Sequence, residues 1–435
     1  MTARGDARTR PHISLRSWTA LVGASLALYS TVGFLNAFGV FQAHYQAHLL
    51  ADRSASDISW IGSVSIFLLY LGAGFAGMLV DKFGPTKLLW FGSAVILIAV
   101  FMTSLCKEYW QFVLAQGVLL GAGMSLVFCT PLGVVMRHMP HRRGLAMGLT
   151  IGGASIGGVI WPIMLQQLLV RHELSFGWSM RIVGFTLLPL LVVSCLTVVE
   201  PPAPNPTPSA VEASETSSPE TGSGTALQDK EESAASKSRI MDFAVLKNRT
   251  YVVLCVGLAI ALLGWFTPIF YISAYAIEKG QSPSTAFYLV SALNAASCFG
   301  RVGPGYVADT LGHFNVLAIV TLLSGVISFC WTRATSLAAL IIWSLAYGFA
   351  SGAVVSLQNA CAGKVASHGT QGTAVGFLNA CIAFSALIGT PISGIILKSS
   401  GYLALSVWSG ATLCGGAVVI AAARFLQNKD LNVAF

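Results

Sequence analysis

Apolar residues along this chain come in long continuous blocks rather than in alternation. GSVSIFLLYLGAGFA at 62–76 and LLWFGSAVILIAVF at 88–101 are two of them, separated by the charged turn GMLVDKFGPTK at 77–87. Crossing the hydrocarbon of a bilayer as a helix takes about 20 apolar residues. A barrel strand would alternate instead, so unbroken runs predict helices. Twelve blocks qualify, at roughly 18–45, 58–80, 86–106, 110–136, 144–170, 178–199, 250–277, 284–307, 314–332, 337–362, 371–397 and 402–425. The interval 200–248 breaks the pattern. From 201 it reads PPAPNPTPSAVEASETSSPETGSG, with too few large apolar residues to bury a core, and it is expected to be a disordered linker. The organisation that follows is a tail at 1–17, six helices in 18–199, the linker at 200–248, six helices in 249–426 and a tail at 427–435.

Composition agrees with a lipid solvent. Hydrophobic residues make up 55% of the chain and charged residues 10%, against about 25% charged in soluble domains. The expected fold class is an all-α polytopic membrane protein. Lys and Arg are biased to one side of the predicted helices: Arg4, Arg8, Arg10 and Arg16, the turn residues Lys82 and Lys87, Arg137, Arg142 and Arg143, and the linker. That bias places both termini and the linker in the cytosol of a multi-pass protein of the cell membrane. The net charge of +8 reflects the same bias and calls for no nucleic acid. The nine cysteines are scattered singly, no His cluster has metal-ligand spacing, and no GxxxxGK[ST] loop is present. No metal or cofactor is therefore expected. Neither are the paired carboxylates or nucleophile–base pair that a membrane enzyme needs.

The charged turn returns. Gly77, Asp81 and Gly84 match Gly305, Asp309 and Gly312 at an offset of 228 residues, and Gly144, Ala146 and Gly148 match Gly372, Ala374 and Gly376 at the same offset. Two separate stretches sharing one offset indicate duplicated six-helix units in parallel topology. In each turn a glycine permits the reversal. The Asp can accept from free amides of the next helix, or pair with an Arg of a neighbouring bundle. Gly77, Asp81, Gly84, Arg142, Arg143 and Asp309 are the candidate gating residues.

The turn GMLVDKFGPTK resembles the signature loop of the major facilitator superfamily. The layout of six helices, linker and six helices is similar to that family over nearly the whole chain. Within it, RRGLAMGLTIGGASIGGVIWP at 142–162 resembles the start of helix five in the monocarboxylate porter family, and STVGFLNAFGVFQAHY at 30–45 and GRVGPGYVADTLGHFN at 300–315 resemble fungal members of that family. The resemblance implies alternating access between two bundles. It also implies that an arginine of the eighth helix, here Arg301, faces the substrate. This sequence departs from the animal members of that family at Ser297, where they carry an acidic residue, and at Val40, where they carry a lysine. Those two groups are linked to proton coupling there, so a coupling proton is an open partner here.

Arg301 also stands out on physical grounds. A charge at helix centre costs about 2.5–3.5 kcal/mol on insertion scales. Eight residues from Asp309, it sits roughly 12 Å above the turn at helical rise. A guanidinium in a wet cavity suits a carboxylate, but it can equally bridge to another helix. Asn294 and Ser297 share its helix face, and Asn36, Tyr70 and Asn379 are further polar candidates for the cavity. The glycines at 148 and 152, and at 153 and 157, are spaced to let another helix approach. The expected function is transport of a small organic molecule, anionic or carboxylate-bearing, as efflux of a specialised metabolite. The alternatives are uptake of a monocarboxylate and a membrane sensor that binds without transport.

Overall fold

The structure is a computed structural model that describes residues 14–171, 174–201, 244–366 and 370–427. The helices are α1 (Leu15–Leu49), α2 (Ala55–Phe83), α3 (Pro85–Thr103), α4 (Tyr109–His138), α5 (Arg143–Leu169), α6 (Phe176–Thr197), α7 (Arg249–Glu278), α8 (Pro283–Leu311), α9 (His313–Phe329) and α10 (Leu337–Val365). The helical stretch Gln371–Gln427 is broken by Gly401 (φ 74°, ψ −174°) into α11 (371–400) and α12 (402–427). Each lies on one of the predicted blocks. Ten of the stretches are long and apolar enough to cross a membrane when 371–427 is taken as one. α8 has the length but not the hydropathy, since Asn294, Ser297, Arg301 and Asp309 lie along it. Much of the expected linker falls outside the described residues. Its last turn, Ala244–Lys247, is helical rather than irregular, because Val245 finds a buried seat there.

Local chemistry sets the helix ends. Ser14 caps α1 through the Ser17 amide, and Ser54 with Asp57 forms a reciprocal capping box at α2. Gly84 (φ 80°) and Gly312 (φ 93°) sit at equivalent positions between α2 and α3 and between α8 and α9. Side-chain-bearing residues rarely adopt that region, so the repeated glycine of the turn has a backbone cause. α1 is less regular than its apolar run predicts. It carries π-helical turns at Tyr29–Gly33 and Tyr45–Leu49 and is interrupted at Asn36 and Ala37. The first π turn coincides with a backbone contact, for Gly33 abuts the Cα of Gly157 in α5.

The first six helices and the last six meet along two seams, α2 against α11 and α5 against α8. Both are lined with glycine. A methyl at Gly77 would overlap the Gly372 carbonyl, one at Gly376 the Ala73 carbonyl, one at Gly144 the Gly305 carbonyl, and one at Gly148 the Arg301 carbonyl. The glycines of α5 face two ways. Gly148 and Gly152 turn to α8, whereas Gly153 and Gly157 turn to α1, against Ser25 and Tyr29. Glu200 and Val199, at the end of the first half, reach Arg137 and His138 at the foot of α4. The face where residues 200–248 join the halves is called the linker face below, and the other the far face.

Candidate functional site

Two carboxylates clasp the halves at the linker face. Asp81, at the end of α2, accepts from the Gly372 amide at 3.3 Å and the Thr373 amide at 2.6 Å, and from the Thr373 hydroxyl at 2.8 Å. Asp309, at the end of α8, accepts from the Gly144 amide at 2.7 Å and the Leu145 amide at 3.0 Å. Each therefore caps the N-terminal amides of a helix in the opposite half, where the helix dipole favours a negative charge. The expectation that each Asp serves the next helix in its own half, or an Arg of the other bundle, is corrected on both counts. The reason is geometric: the glycine seams bring the first amides of α11 and α5 within hydrogen-bond reach of these carboxylates. The arginine on Asp81 is Arg137 of its own half, at 3.2 Å, which also meets Glu200 at 3.4 Å. Asp309 has instead His313 Nε2 at 3.1 Å. Both carboxylates are nearly covered, with side-chain exposures of 10% and 8%, so screening by solvent is weak. Arg143 adds a third link, donating to the Gly363 carbonyl across the halves at 3.0 Å. Arg142 is exposed beside it.

Deeper in, the α5–α8 seam becomes polar. Arg301 is 5% exposed, and its Nη1 donates to the Ile151 carbonyl of α5 at 2.6 Å. Its Nε is buried without a hydrogen-bond partner. One turn away the Ser155 hydroxyl donates to Ser297 Oγ at 3.4 Å, and the Cys298 thiol donates to the Gly152 carbonyl at 3.9 Å. Asn294 donates to the Val290 carbonyl at 3.1 Å, and its side-chain oxygen faces Gly158, as does the side-chain nitrogen of Asn36. Asn36 is exposed at the break in α1. Tyr70 is buried edge-on against Phe128, within electrostatic reach of the Arg301 charge. The structure thus brings Arg301, Ser297, Asn294, Asn36 and Tyr70 into one region. Asn379 donates to Asn359 at 2.9 Å and to the Val375 carbonyl at 2.7 Å, in an α10–α11 contact.

Among the described residues, the hydrogen bonds that cross between the halves lie between the linker face and the Ser155–Ser297 pair. Toward the far face the bonds stay inside each half, as in Tyr45 to Gln116 and Tyr275 to the Thr332 carbonyl. The structure is shut at the linker face. Sequence reasoning counted Arg137 only as a topological charge, and His313, Thr373 and the Ile151 carbonyl escaped it altogether. The offset that revealed the Asp turns does not reveal their partners, which lie in the other half.

Comparison with known proteins places this architecture. The model of the Major Facilitator Superfamily matches residues 20–389 and again 254–433. An MFS-type transporter of Aspergillus fumigatus is 49% identical over 97% of this chain and 94% of its own length. The agnestins efflux protein of Paecilomyces divaricatus is 41% identical over 99% of this chain and 93% of its own. The aspyridones efflux protein of Emericella nidulans is 35% identical over 96% of this chain and 79% of its own. Among solved structures, the human organic anion transporter MFSD10 superposes with a TM-score of 0.67 at 14% identity, covering 94% of this chain and 100% of that one. The fucose:proton symporter FucP of E. coli does so with 0.65 at 15% identity, covering 93% of this chain and 98% of that one. At those identities the structures speak for the fold alone. Twelve long helices among the described residues, six in each half, a family match along most of the chain and transporters as relatives lead to one conclusion: the chain belongs to the Major Facilitator Superfamily and is a transporter, not an enzyme.

Proposed function

We propose that this transporter exports a small organic anion, a carboxylate-bearing specialised metabolite, by alternating access of the two halves, with Arg301 as the principal contact. The observation that carries the reading is a guanidinium buried midway along α8 that has no carboxylate partner among the described residues. Keeping a charge at that depth costs about 2.5–3.5 kcal/mol on insertion scales, so its retention argues for use. Asn36, Asn294, Ser297 and Tyr70 supply neutral polar groups around it, with Asn379 of α11 a further candidate. The excess of basic residues on the linker face supports a cytosolic linker and cytosolic ends in the cell membrane. Two relatives named as efflux proteins for agnestins and aspyridones support the outward direction. The turn and helix-five motifs support a chain of fungal monocarboxylate-porter type. With Ser297 and Val40 at the positions that family uses for proton coupling, any proton travels by another group.

A deletion strain tests the direction. One acidic metabolite should accumulate inside the cells and fall in the medium; loss of growth on a carboxylic acid, with the exported profile unchanged, would reverse the proposal. Arg301→Ala tests the site. In proteoliposomes loaded with the metabolite its flux should fall by about tenfold or more, the worth of a charge-assisted pair. Unchanged flux and anion selectivity would remove Arg301 from the site.

A further inference from the structure

We propose that Arg301 exchanges partners during the cycle: the Ile151 carbonyl holds the guanidinium while the linker face is shut, and the transported anion holds it while that face is open. Closing the linker face then expels the anion toward the far face. The inference rests on the reading of Arg301 as the anion contact and adds the release step to it.

The bond from Nη1 to Ile151 crosses from α8 to α5. It exists because Gly148 lets the Arg301 backbone come against α5. Parting of the halves along this seam breaks it. The fork of an arginine carries five donors, and a carboxylate takes two of them in parallel. A single carbonyl satisfies fewer, and the buried Nε is indeed without a partner in the closed arrangement. At 5% exposure little of the guanidinium is open to an anion. The neighbours follow the same pattern. Ser297 is occupied by Ser155, and the Cys298 thiol by the Gly152 carbonyl. The polar face of α8 that would meet a substrate is thus covered, group by group, by α5. α5 and the anion compete for one set of donors, and the position of the halves decides between them.

Both seams carry a native thiol that reports their opening. Cys298 donates to the Gly152 carbonyl in one, and Cys129, fully buried, donates to the Gly372 carbonyl in the other. The experiment uses the full chain in liposomes, with all cysteines but one of these replaced, and a charged, impermeant maleimide applied at the linker face. Benzoate serves as the carboxylate probe. In the Arg301 parent, benzoate should speed alkylation of both thiols by about tenfold, the equilibrium shift of one charge-assisted hydrogen bond. In Arg301→Gln, alkylation should be fast from the start and indifferent to benzoate. Arg301→Lys keeps the charge without the fork, should give a reduced response, and serves if the Gln variant is not monodisperse. A parent indifferent to benzoate while Arg301→Gln labels fast leaves a latch but no anion contact, and sinks both the exchange and the site. An equal benzoate response in Arg301→Gln overturns the exchange while anion transport stands. A change at Cys298 without one at Cys129 means local loosening, and also overturns it.

Discussion

Asp81 and Asp309 occupy equivalent places in the two halves and cap helices of the opposite half, yet their local company differs. Arg137 attends the first and His313 the second. Each Asp accepts from two backbone amides of the opposite half, and hydrogen bonds to charged groups contribute about 1.5–3 kcal/mol. Asp81→Asn or Asp309→Asn keeps the shape and removes the charge. Either is expected to raise the alkylation rate of Cys129 at the linker face by about tenfold, and the double change by more. A rate that does not move would show that the amides are content without the carboxylates. The two Asp residues were legible because duplication repeats them at one offset. Their partners were not, since spacing along a chain carries no record of which distant amide a side chain meets. Arg301 was conspicuous as a lone intramembrane charge. The acceptor it uses is a backbone carbonyl, which every residue has and no residue type announces.

At the level of elements, long apolar runs located the helices to within a few residues, and glycine spacing forecast close approach. Which helix approaches had to come from the folded chain, and the answer divides α5 between α8 on one side and α1 on the other. The interruption of α1 at Asn36 and Ala37 left no local signal, because it accompanies packing against α5 rather than a proline. Gly148→Ala is a sharp test of the seam. In an ordinary helix this change is favourable by about 1 kcal/mol, but in the closed seam the new methyl meets rigid backbone, so the melting temperature should fall. The added methyl overlaps the Arg301 carbonyl. Transport in proteoliposomes should therefore fall steeply, with Cys129 becoming easier to alkylate. Wild-type flux in a stable Gly148→Ala protein would mean the seam is looser than drawn.

Across the whole molecule, the two halves are built alike and joined at one face, and the described chain begins and ends there. Ser17 touches His138 at the foot of α4, and Arg424 bonds Asn315 at the start of α9. Single cysteines at Ser14→Cys and Gln427→Cys should accept an impermeant maleimide from the same side of the membrane, and Lys279→Cys from the other. Labelling of the two ends from opposite sides would contradict the architecture. The duplication and the twelve apolar runs made this plan readable from residues alone. The state of the machine, shut at one face, was not readable, because both states use the same sequence.

The glycines of α5 have a mechanical consequence. Where large side chains interlock, two helices part only after each side chain repacks. Here bare backbone rests on bare backbone along two sides of one rod, with few teeth to disengage. α5 works as a plain bearing: resistance to motion is concentrated in the few polar clasps along its first half, from Gly144 to Ser155, and the glycine surface between them glides.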